Sequence, residues 1–193
     1  LGAAGFLAVF ATAHQTPPAV GVAAPAFSLK CLGNQDHSLA DFKGKIVVLE
    51  WTNPGCPVVQ RHYESGLMPA AQKAALEKGA VWLAVNSTNP GHANYREPAD
   101  LKTAYTGWKA AYTGQLMDAD GTVGRAYGAK TTPHVFVIDP QGKIAYSGAI
   151  DDDTTGKKDD RINYALKAID DLQSGRSVAV ATTQPYGCSV KYK

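Results

Sequence analysis

Short apolar runs and amphipathic segments alternate along the chain. Five runs predict strands, at 25–30, 45–51, 80–86, 134–138 and 143–147. The runs at 45–51 and 80–86 are nearly continuous, which is typical of buried strands in a parallel, covered sheet. The last two runs flank a turn at 139–142 and predict a hairpin.

Apolar positions spaced by three or four residues predict the helices, at 57–78, 98–112, 122–127 and 161–172. Gly66 and Pro69 interrupt the first of these, so we expect a kink or two separate helices. The order is strand–helix–strand–helix, followed by a hairpin and a helix. It predicts an α/β fold with a mixed central sheet flanked by helices on both faces.

A cysteine lies between the strand at 45–51 and the first predicted helix. Cys56 follows a short polar turn, and Pro57 suits the first helical position because its missing N–H is not needed there. The free N–H groups of a helix start favour an anion, so the thiol pKa is expected to fall from about 8.5 into the range of roughly 3.5–7.5. Since the thiolate is the nucleophile, Cys56 is a candidate redox site. The alternative is a cysteine that only packs in the core.

The composition is that of a globular protein, with 193 residues, 45% apolar and 19% charged. The net charge is +2 and the two signs are mixed, which argues against a nucleic-acid or anionic membrane surface. Three cysteines, Cys31, Cys56 and Cys188, are too few for a disulfide framework. No cofactor or metal is expected, and the aspartates at 118, 120 and 151–153 are interpreted as turn and loop formers.

The first stretch, Leu1 to Ala13, is apolar and uncharged. It resembles the hydrophobic and cleavage regions of a secretory signal peptide without its basic start, although an ordinary N-terminal helix is the alternative. It is shorter than the about 20 apolar residues that span a bilayer, so a truncated membrane anchor is a further alternative. Residues 14–24 are predicted as an extended leader. We therefore expect an exported protein in an oxidising compartment such as the periplasm.

Four segments carry a family resemblance: Val47-Val-Leu-Glu-Trp51, Asn53-Pro-Gly-Cys-Pro57, Ala126-Tyr-Gly-Ala129 and Thr131-Thr-Pro-His-Val-Phe-Val-Ile-Asp139. Together with the order of elements, they resemble the redoxin branch of the thioredoxin fold. This branch includes TlpA-like thiol–disulfide oxidoreductases and peroxiredoxin-like proteins of the AhpC/TSA type. The resemblance implies a thioredoxin-like domain at 25–175, preceded by the leader at 1–24 and followed by a tail at 176–193 that carries Cys188.

The resemblance also implies roles for individual residues. Cys56 matches the nucleophilic cysteine of thioredoxins. Pro133 matches the cis-proline that faces the active site, and Thr132 would offer backbone hydrogen bonds to a bound substrate chain. Glu50 matches a buried acid beneath the site, where burial would raise its pKa and let it exchange protons with thiols; the alternative is a glutamate that reaches water. Two residues that flank the turn are further candidate substrate contacts, Trp51 and Pro57.

The chain departs from both redoxin patterns. Val59 stands where thioredoxins have their second cysteine, and Asn53 stands where peroxiredoxins have threonine or serine. A distant thiol would therefore have to resolve an intermediate on Cys56, and Cys188 is the first candidate because its tail could fold back. A structural Cys31–Cys188 bridge, which would leave Cys56 as a lone redox thiol, is the alternative.

Three other side chains lie near Cys56 or Pro133 in the sequence. Arg61 and His62 are expected to point away from Cys56, as surface or core-edge residues. His134 could stabilise a thiolate or lie on the far face of its strand.

Three functions remain open at this point. The first is a thiol–disulfide oxidoreductase that acts on protein disulfides and is reduced by a thiol partner. The second is an antioxidant thiol peroxidase that reduces hydroperoxides. The third is a non-enzymatic binding or metal-delivery protein, although copper delivery would need a second cysteine and a histidine near Cys56. Redoxin-type proteins often dimerise, so a homodimer is a further expectation.

Overall fold

The computed structural model of the protein describes residues 18–33 and 35–193. The signal-peptide prediction for Leu1 to Ala13 and part of the predicted leader lie outside the described residues. The described strands are β1 (Ser28–Cys31), β2 (Asp36–Ser38), β3 (Val47–Trp51), β4 (Val81–Asn86), β5 (Gly114–Met117), β6 (Thr131–Thr132), β7 (His134–Ile138), β8 (Ile144–Gly148) and β9 (Cys188–Ser189). The described helices are α1 (Pro57–Glu64), α2 (Leu67–Glu77), α3 (Pro98–Gly107), α4 (Thr122–Tyr127) and α5 (Tyr164–Gln173), with a 3₁₀ turn at Leu39–Phe42.

Seven of these strands form one mixed sheet in the order β2-β1-β5-β4-β3-β7-β8. The central strand β3 is buried at every position. It pairs in parallel with β4 and antiparallel with β7. The predicted hairpin is the antiparallel pair of β7 and β8. The predicted mixed sheet is therefore confirmed, and its centre ends at the turn that leads to Cys56.

Helices cover both faces of this sheet, as predicted. The helices α1, α2, α3 and α5 pack on one face, where Cys56 also lies. The short helix α4 and the 3₁₀ turn pack on the other face. The thiol site is thus built on the more heavily covered face, at the start of α1.

The long helix predicted at 57–78 is two helices. Gly66 has a φ of +78°, a left-handed conformation that favours glycine, and it separates α1 from α2. Pro69 lies in the first turn of α2, where its missing N–H costs nothing. The interruption expected from Gly66 is confirmed.

Two predicted helices are shorter than their apolar spacing indicated. The helix α3 ends at Gly107, before Lys109, which has a φ of 56°. A short connection after α3 leads into β5, a strand that the pattern did not predict. The helix α5 begins at Tyr164 because the side chain of Asn163 caps it, accepting a hydrogen bond from the Leu166 N–H at 2.9 Å.

Both ends of the described chain are attached to the sheet region. Near the start, the Gly21 N–H donates to the Ile144 carbonyl at 2.8 Å. At the other end, β9 pairs antiparallel with β6. In the part of the chain that the structure covers, no helix has the length and apolar character needed to cross a membrane.

Candidate active site

The site starts at the turn between β3 and α1. The Asn53 side chain accepts a hydrogen bond from the Gly55 N–H at 2.6 Å, and the Asn53 carbonyl accepts one from the Cys56 N–H at 3.0 Å. Cys56 is the N-cap of α1, with Pro57 at the first helical position, as the sequence indicated. The thiol is buried, with 1% of the residue exposed. The turn therefore presents Cys56 to the free N–H groups of the helix start.

A second thiol lies directly beside the first. The Sγ atoms of Cys56 and Cys188 are 2.7 Å apart, longer than a disulfide bond of about 2.05 Å, and both cysteines are free. The carbonyl oxygen of Thr132 lies 3.1 Å from the Cys56 Sγ and accepts a hydrogen bond from the protonated thiol. The pair predicted as a nucleophile and a distant thiol is thus brought into contact.

The two thiols differ in acidity. Burial raises the pKa of Cys56, but the hydrogen bond from Cys188 and the backbone N–H of Val59 outweigh burial, and the net pKa is lowered. Burial and the adjacent Cys56 sulfur raise the pKa of Cys188 to about 11. Cys56 is therefore the more acidic thiol of the pair and the first to lose its proton.

Backbone pairing of the tail holds Cys188 at the site. In the β6–β9 pair, Thr132 is the register partner of Cys188. On the other side of the tail, the Asn89 N–H and side-chain amide both donate to the Lys191 carbonyl at 2.9 Å. The backbone edge of Thr132, expected to bind a substrate chain, is therefore occupied by the protein's own tail.

Cys31 takes no part in the site. It lies on β1, which is separated from β3 by β5 and β4. Three strand spacings of about 4.8 Å place β1 about 14 Å from β3. Since Cys188 contacts Cys56 and Cys31 is free, the alternative Cys31–Cys188 bridge is wrong.

The residues around the turn meet the expected geometry in part. The Thr132–Pro133 peptide bond is cis, and both residues are buried beside the thiol pair. Pro57 is exposed and directly follows Cys56. Their roles in substrate binding remain predictions.

Glu50 lies in the core and does not reach water. Its carboxylate accepts hydrogen bonds from the Tyr63 hydroxyl at 2.9 Å, the Trp82 indole at 2.8 Å and the Gln72 amide at 3.1 Å. Burial raises its pKa, although these donors act in the opposite direction. The buried acid is present as expected, but the position that holds the second thioredoxin cysteine is occupied by buried Val59. A role for Glu50 in proton transfer therefore remains a prediction.

Comparison with known proteins identifies the family. The model of the AhpC/TSA family matches residues 20–147. The chain belongs to the AhpC/TSA family. A curated relative, the thiol-disulfide oxidoreductase ResA from Geobacillus thermodenitrificans, is 32% identical over 135 residues, which are 68% of this chain and 70% of the relative.

Solved structures share the fold. A hypothetical protein from Sinorhizobium meliloti superposes with a TM-score of 0.82 at 23% identity, covering 92% of this chain and 97% of the other, and shows the shared fold. The thioredoxin domain of a thiol-disulfide oxidoreductase from Bacteroides vulgatus gives a TM-score of 0.55 at 28% identity, covering 67% and 88%. The predicted thioredoxin-like fold and redoxin resemblance are confirmed.

Trp51 of this AhpC/TSA-family protein does not lie where a substrate contact was expected. Its side chain is fully buried, and its indole N–H donates to the Ser87 hydroxyl at 3.0 Å. The ring packs against Tyr127 and Phe136, on the face of the sheet opposite to Cys56. Because Trp51 ends β3 with its side chain on this far face, its position supports a core role and corrects the predicted substrate contact.

The two histidines near the site also differ from each other. The His134 ring packs at a tilt against Phe136, with centroids 4.5 Å apart, on the face opposite to Cys56. Burial lowers its pKa to about 4, so it is a core residue and not a partner of the thiolate. His62 is 2% exposed and contacts Asp151 and Tyr186, so the surface expectation for it is wrong. The sequence signal that could have revealed it was a histidine on the apolar side of α1.

Replacing Glu50 by leucine is expected to destabilise this protein by about 3–5 kcal/mol. The change leaves the Tyr63 hydroxyl and the Trp82 indole without their acceptor, and each such group costs about 1–3 kcal/mol, while the Gln72 amide keeps only the Tyr63 hydroxyl as an acceptor. Urea unfolding measures the effect. The exposed Glu64→Leu is the matched control and should stay within about 0.5 kcal/mol of the wild type. Equal unfolding midpoints for both variants would contradict the prediction.

Proposed function

We propose that this protein is a thiol–disulfide oxidoreductase in which Cys56 is the nucleophile and Cys188 the resolving thiol. One observation carries the proposal, the 2.7 Å contact between a thiol of lowered pKa at a helix start and a second thiol held on the tail. The names of two similar proteins, from Geobacillus thermodenitrificans and Bacteroides vulgatus, are those of thiol-disulfide oxidoreductases and support it.

The reaction proceeds in two exchange steps. The Cys56 thiolate attacks one sulfur of a substrate disulfide, and the other substrate sulfur leaves with the electron pair of the broken bond. Cys188 then attacks the Cys56 sulfur, its proton passes to the second leaving thiolate, and the Cys56–Cys188 disulfide forms. The substrate gains two electrons, and a thiol reductant partner returns two electrons to the protein.

Access to the site follows from the position of the tail. Cys56 is 1% exposed, whereas Cys188 is half-buried and so lies closer to solvent. A protein disulfide that docks on the Thr132 backbone has to displace β9 first, since the tail already pairs there. In the oxidised form, the reductant reaches the Cys188 sulfur more readily than the Cys56 sulfur.

The peroxidase alternative receives less support. The family pattern of peroxiredoxins needs a hydroxyl three residues before the cysteine, where this chain has Asn53. Both polar atoms of that side chain already have partners: the oxygen accepts from the Gly55 N–H, and the nitrogen donates to the Thr88 hydroxyl after β4. Metal delivery would need a third ligand beside the two thiols. Among the described residues, no group of three histidine, cysteine or carboxylate side chains is arranged to hold a metal.

Disulfide mapping tests the proposed function. The reduced protein is mixed with glutathione disulfide, quenched in acid, alkylated and digested. We expect a peptide pair that joins Cys56 to Cys188, with Cys31 alkylated. A link from Cys56 to Cys31, or no link at all, would refute the resolving role of Cys188. Faster oxidation by a hydroperoxide than by any protein disulfide would favour the peroxidase.

Compartment and assembly complete the proposal. Export to an oxidising compartment would suit a thiol–disulfide oxidoreductase, and the apolar segment Leu1 to Ala13 supports export. The partners would be a protein disulfide and a thiol reductant. A homodimer remains a prediction that sedimentation of the purified protein tests.

A further inference from the structure

A buried polar cluster lies beside the thiol pair. The Tyr186 hydroxyl donates to the Asp151 carboxylate and lies 3.2 Å from the His62 Nε2 atom. The other carboxylate oxygen of Asp151 is 3.2 Å from the same nitrogen. We refer to Tyr186, His62 and Asp151 as the tyrosine latch. Both His62 and Asp151 are about 3% exposed, and the partly buried Tyr186 covers them.

The hydrogen bonds fix the orientation of each latch residue. The His62 Nδ1 atom lies 2.8 Å from the Val58 carbonyl, which can only accept, so this nitrogen carries a proton. The Nε2 atom then faces Asp151 and Tyr186. Hydrogen bonds to His62, to Tyr186 and to the Asp153 backbone N–H lower the pKa of Asp151 against the effect of burial. Buried groups of this kind are costly to leave unpaired, which favours one docked position for Tyr186.

Short spans connect the latch to both sulfur atoms. His62 lies on α1, six residues after Cys56, a helical rise of about 9 Å. Tyr186 lies two residues before Cys188, an extended span of about 7 Å. Gly187 lies between Tyr186 and Cys188 and packs closely against the Thr132 carbonyl. An added Cβ at Gly187 would lie 2.2 Å from that oxygen. The helix that carries the nucleophile thus also holds the segment that carries the second thiol.

We propose that Tyr186 is a positioning residue for the resolving thiol. Its hydroxyl, held by His62 and Asp151 of the latch, fixes the tail so that Cys188 meets Cys56 at a high effective concentration. The inference rests on the proposed role of Cys188 as the resolving thiol. It assigns Tyr186 no contact with the reacting atoms.

The variant Tyr186→Phe removes the hydroxyl and keeps the ring. Stopped-flow reaction of the reduced protein with dithiobisnitrobenzoate separates two steps. Cys56 first releases one coloured thiolate in a second-order phase, and Cys188 then releases the other in a first-order phase. We expect Tyr186→Phe to slow the first-order phase by about tenfold or more, because a hydrogen bond to a charged group is lost. The second-order phase should be as fast as in the wild type, or faster.

The reduction potential of the Cys56–Cys188 disulfide is a second measurement, which a general loss of stability would not change. Titration against glutathione should show a disulfide that is about tenfold easier to reduce, which is a potential about 30 mV less negative. Asp151→Asn should slow the first-order phase as well. The double variant should be no slower than the slower single variant, since both changes act on one latch. If the double variant instead slowed the first-order phase by the product of the two single effects, the assignment of both residues to one latch would be wrong.

The matched control is Tyr127→Phe, which removes a hydroxyl that donates to the Pro25 carbonyl at 2.8 Å. Its ring lies on the opposite face of the sheet, so both phases should match the wild type. An unchanged first-order phase in Tyr186→Phe would overturn the positioning role. A wild type that lacks the first-order phase would refute the proposed resolving role instead, so the two failures are distinguishable.

Discussion

Replacing Cys56 by serine is expected to reduce disulfide exchange to the uncatalysed rate. The serine hydroxyl remains protonated near neutral pH and cannot accept the substrate sulfur in an exchange step. In the wild type, burial raises the pKa of the Cys56 thiol, but Cys188 and the Val59 N–H outweigh burial and lower it, which favours the reactive thiolate. Reduction of a protein disulfide in the presence of an excess thiol reductant measures the loss.

The control for this variant is Cys31→Ser. Cys31 lies on β1, remote from the site, so this change should leave exchange within about twofold of the wild type, the size expected for a remote substitution. If Cys56→Ser kept most of its activity, the nucleophile would have to be another thiol. If Cys31→Ser lost its activity, the separation of the two sites would be wrong.

Replacing Gly187 by alanine is expected to detach the end of the tail. Gly187 has a φ of +127°, and an added Cβ would lie 2.2 Å from the Thr132 carbonyl oxygen, a backbone atom that cannot move aside alone. The strain is on the order of 1–3 kcal/mol, and the contact adds to it. We expect the β6–β9 pair to open and disulfide closure between Cys56 and Cys188 to slow by more than tenfold, about 1.4 kcal/mol of activation free energy. Stopped-flow kinetics and protease cleavage near Tyr186 measure these effects.

The control variant Gly175→Ala separates the effect of the steric clash at Gly187 from the effect of placing alanine at a positive φ. Gly175 also has a positive φ, of +69°, but no atom lies within 4 Å of an added Cβ. This variant should lose some stability and keep the rate of disulfide closure. If both alanine variants closed the disulfide at the wild-type rate, the docked tail would not be needed for the reaction.

Local signals were sufficient to predict the turn that carries Cys56 and the central strands of the sheet. The apolar run of β3, the turn that follows it and Pro57 together specify a strand, a turn and a helix start, because each residue type restricts its own backbone. The hairpin of β7 and β8 follows from its turn residues in the same way. These features depend on neighbours in the sequence, and the structure agrees with them.

Features that depend on distant contacts could not be predicted in this way. The strand β5 has four residues and no clear alternation, so its pairing with β4 defines it. The two-residue strand β9 exists only because Thr132 offers a backbone edge. The sequence favoured Cys188 as a resolving thiol, but no local pattern placed it beside Cys56. His62 was misjudged because its buried partners Asp151 and Tyr186 lie 89 and 124 residues away.

The contact between Cys56 and Cys188 has a consequence for the thermodynamics of the whole chain. The two cysteines are 132 residues apart in the sequence, so a disulfide between them would close a loop that contains most of the core. On the chain-entropy estimate, such a crosslink removes conformational entropy and so raises the free energy of the unfolded state by about 5 kcal/mol, against about 2 kcal/mol for a loop of four residues. Each catalytic cycle would therefore change the free energy of unfolding, and the oxidised protein should be the more stable form.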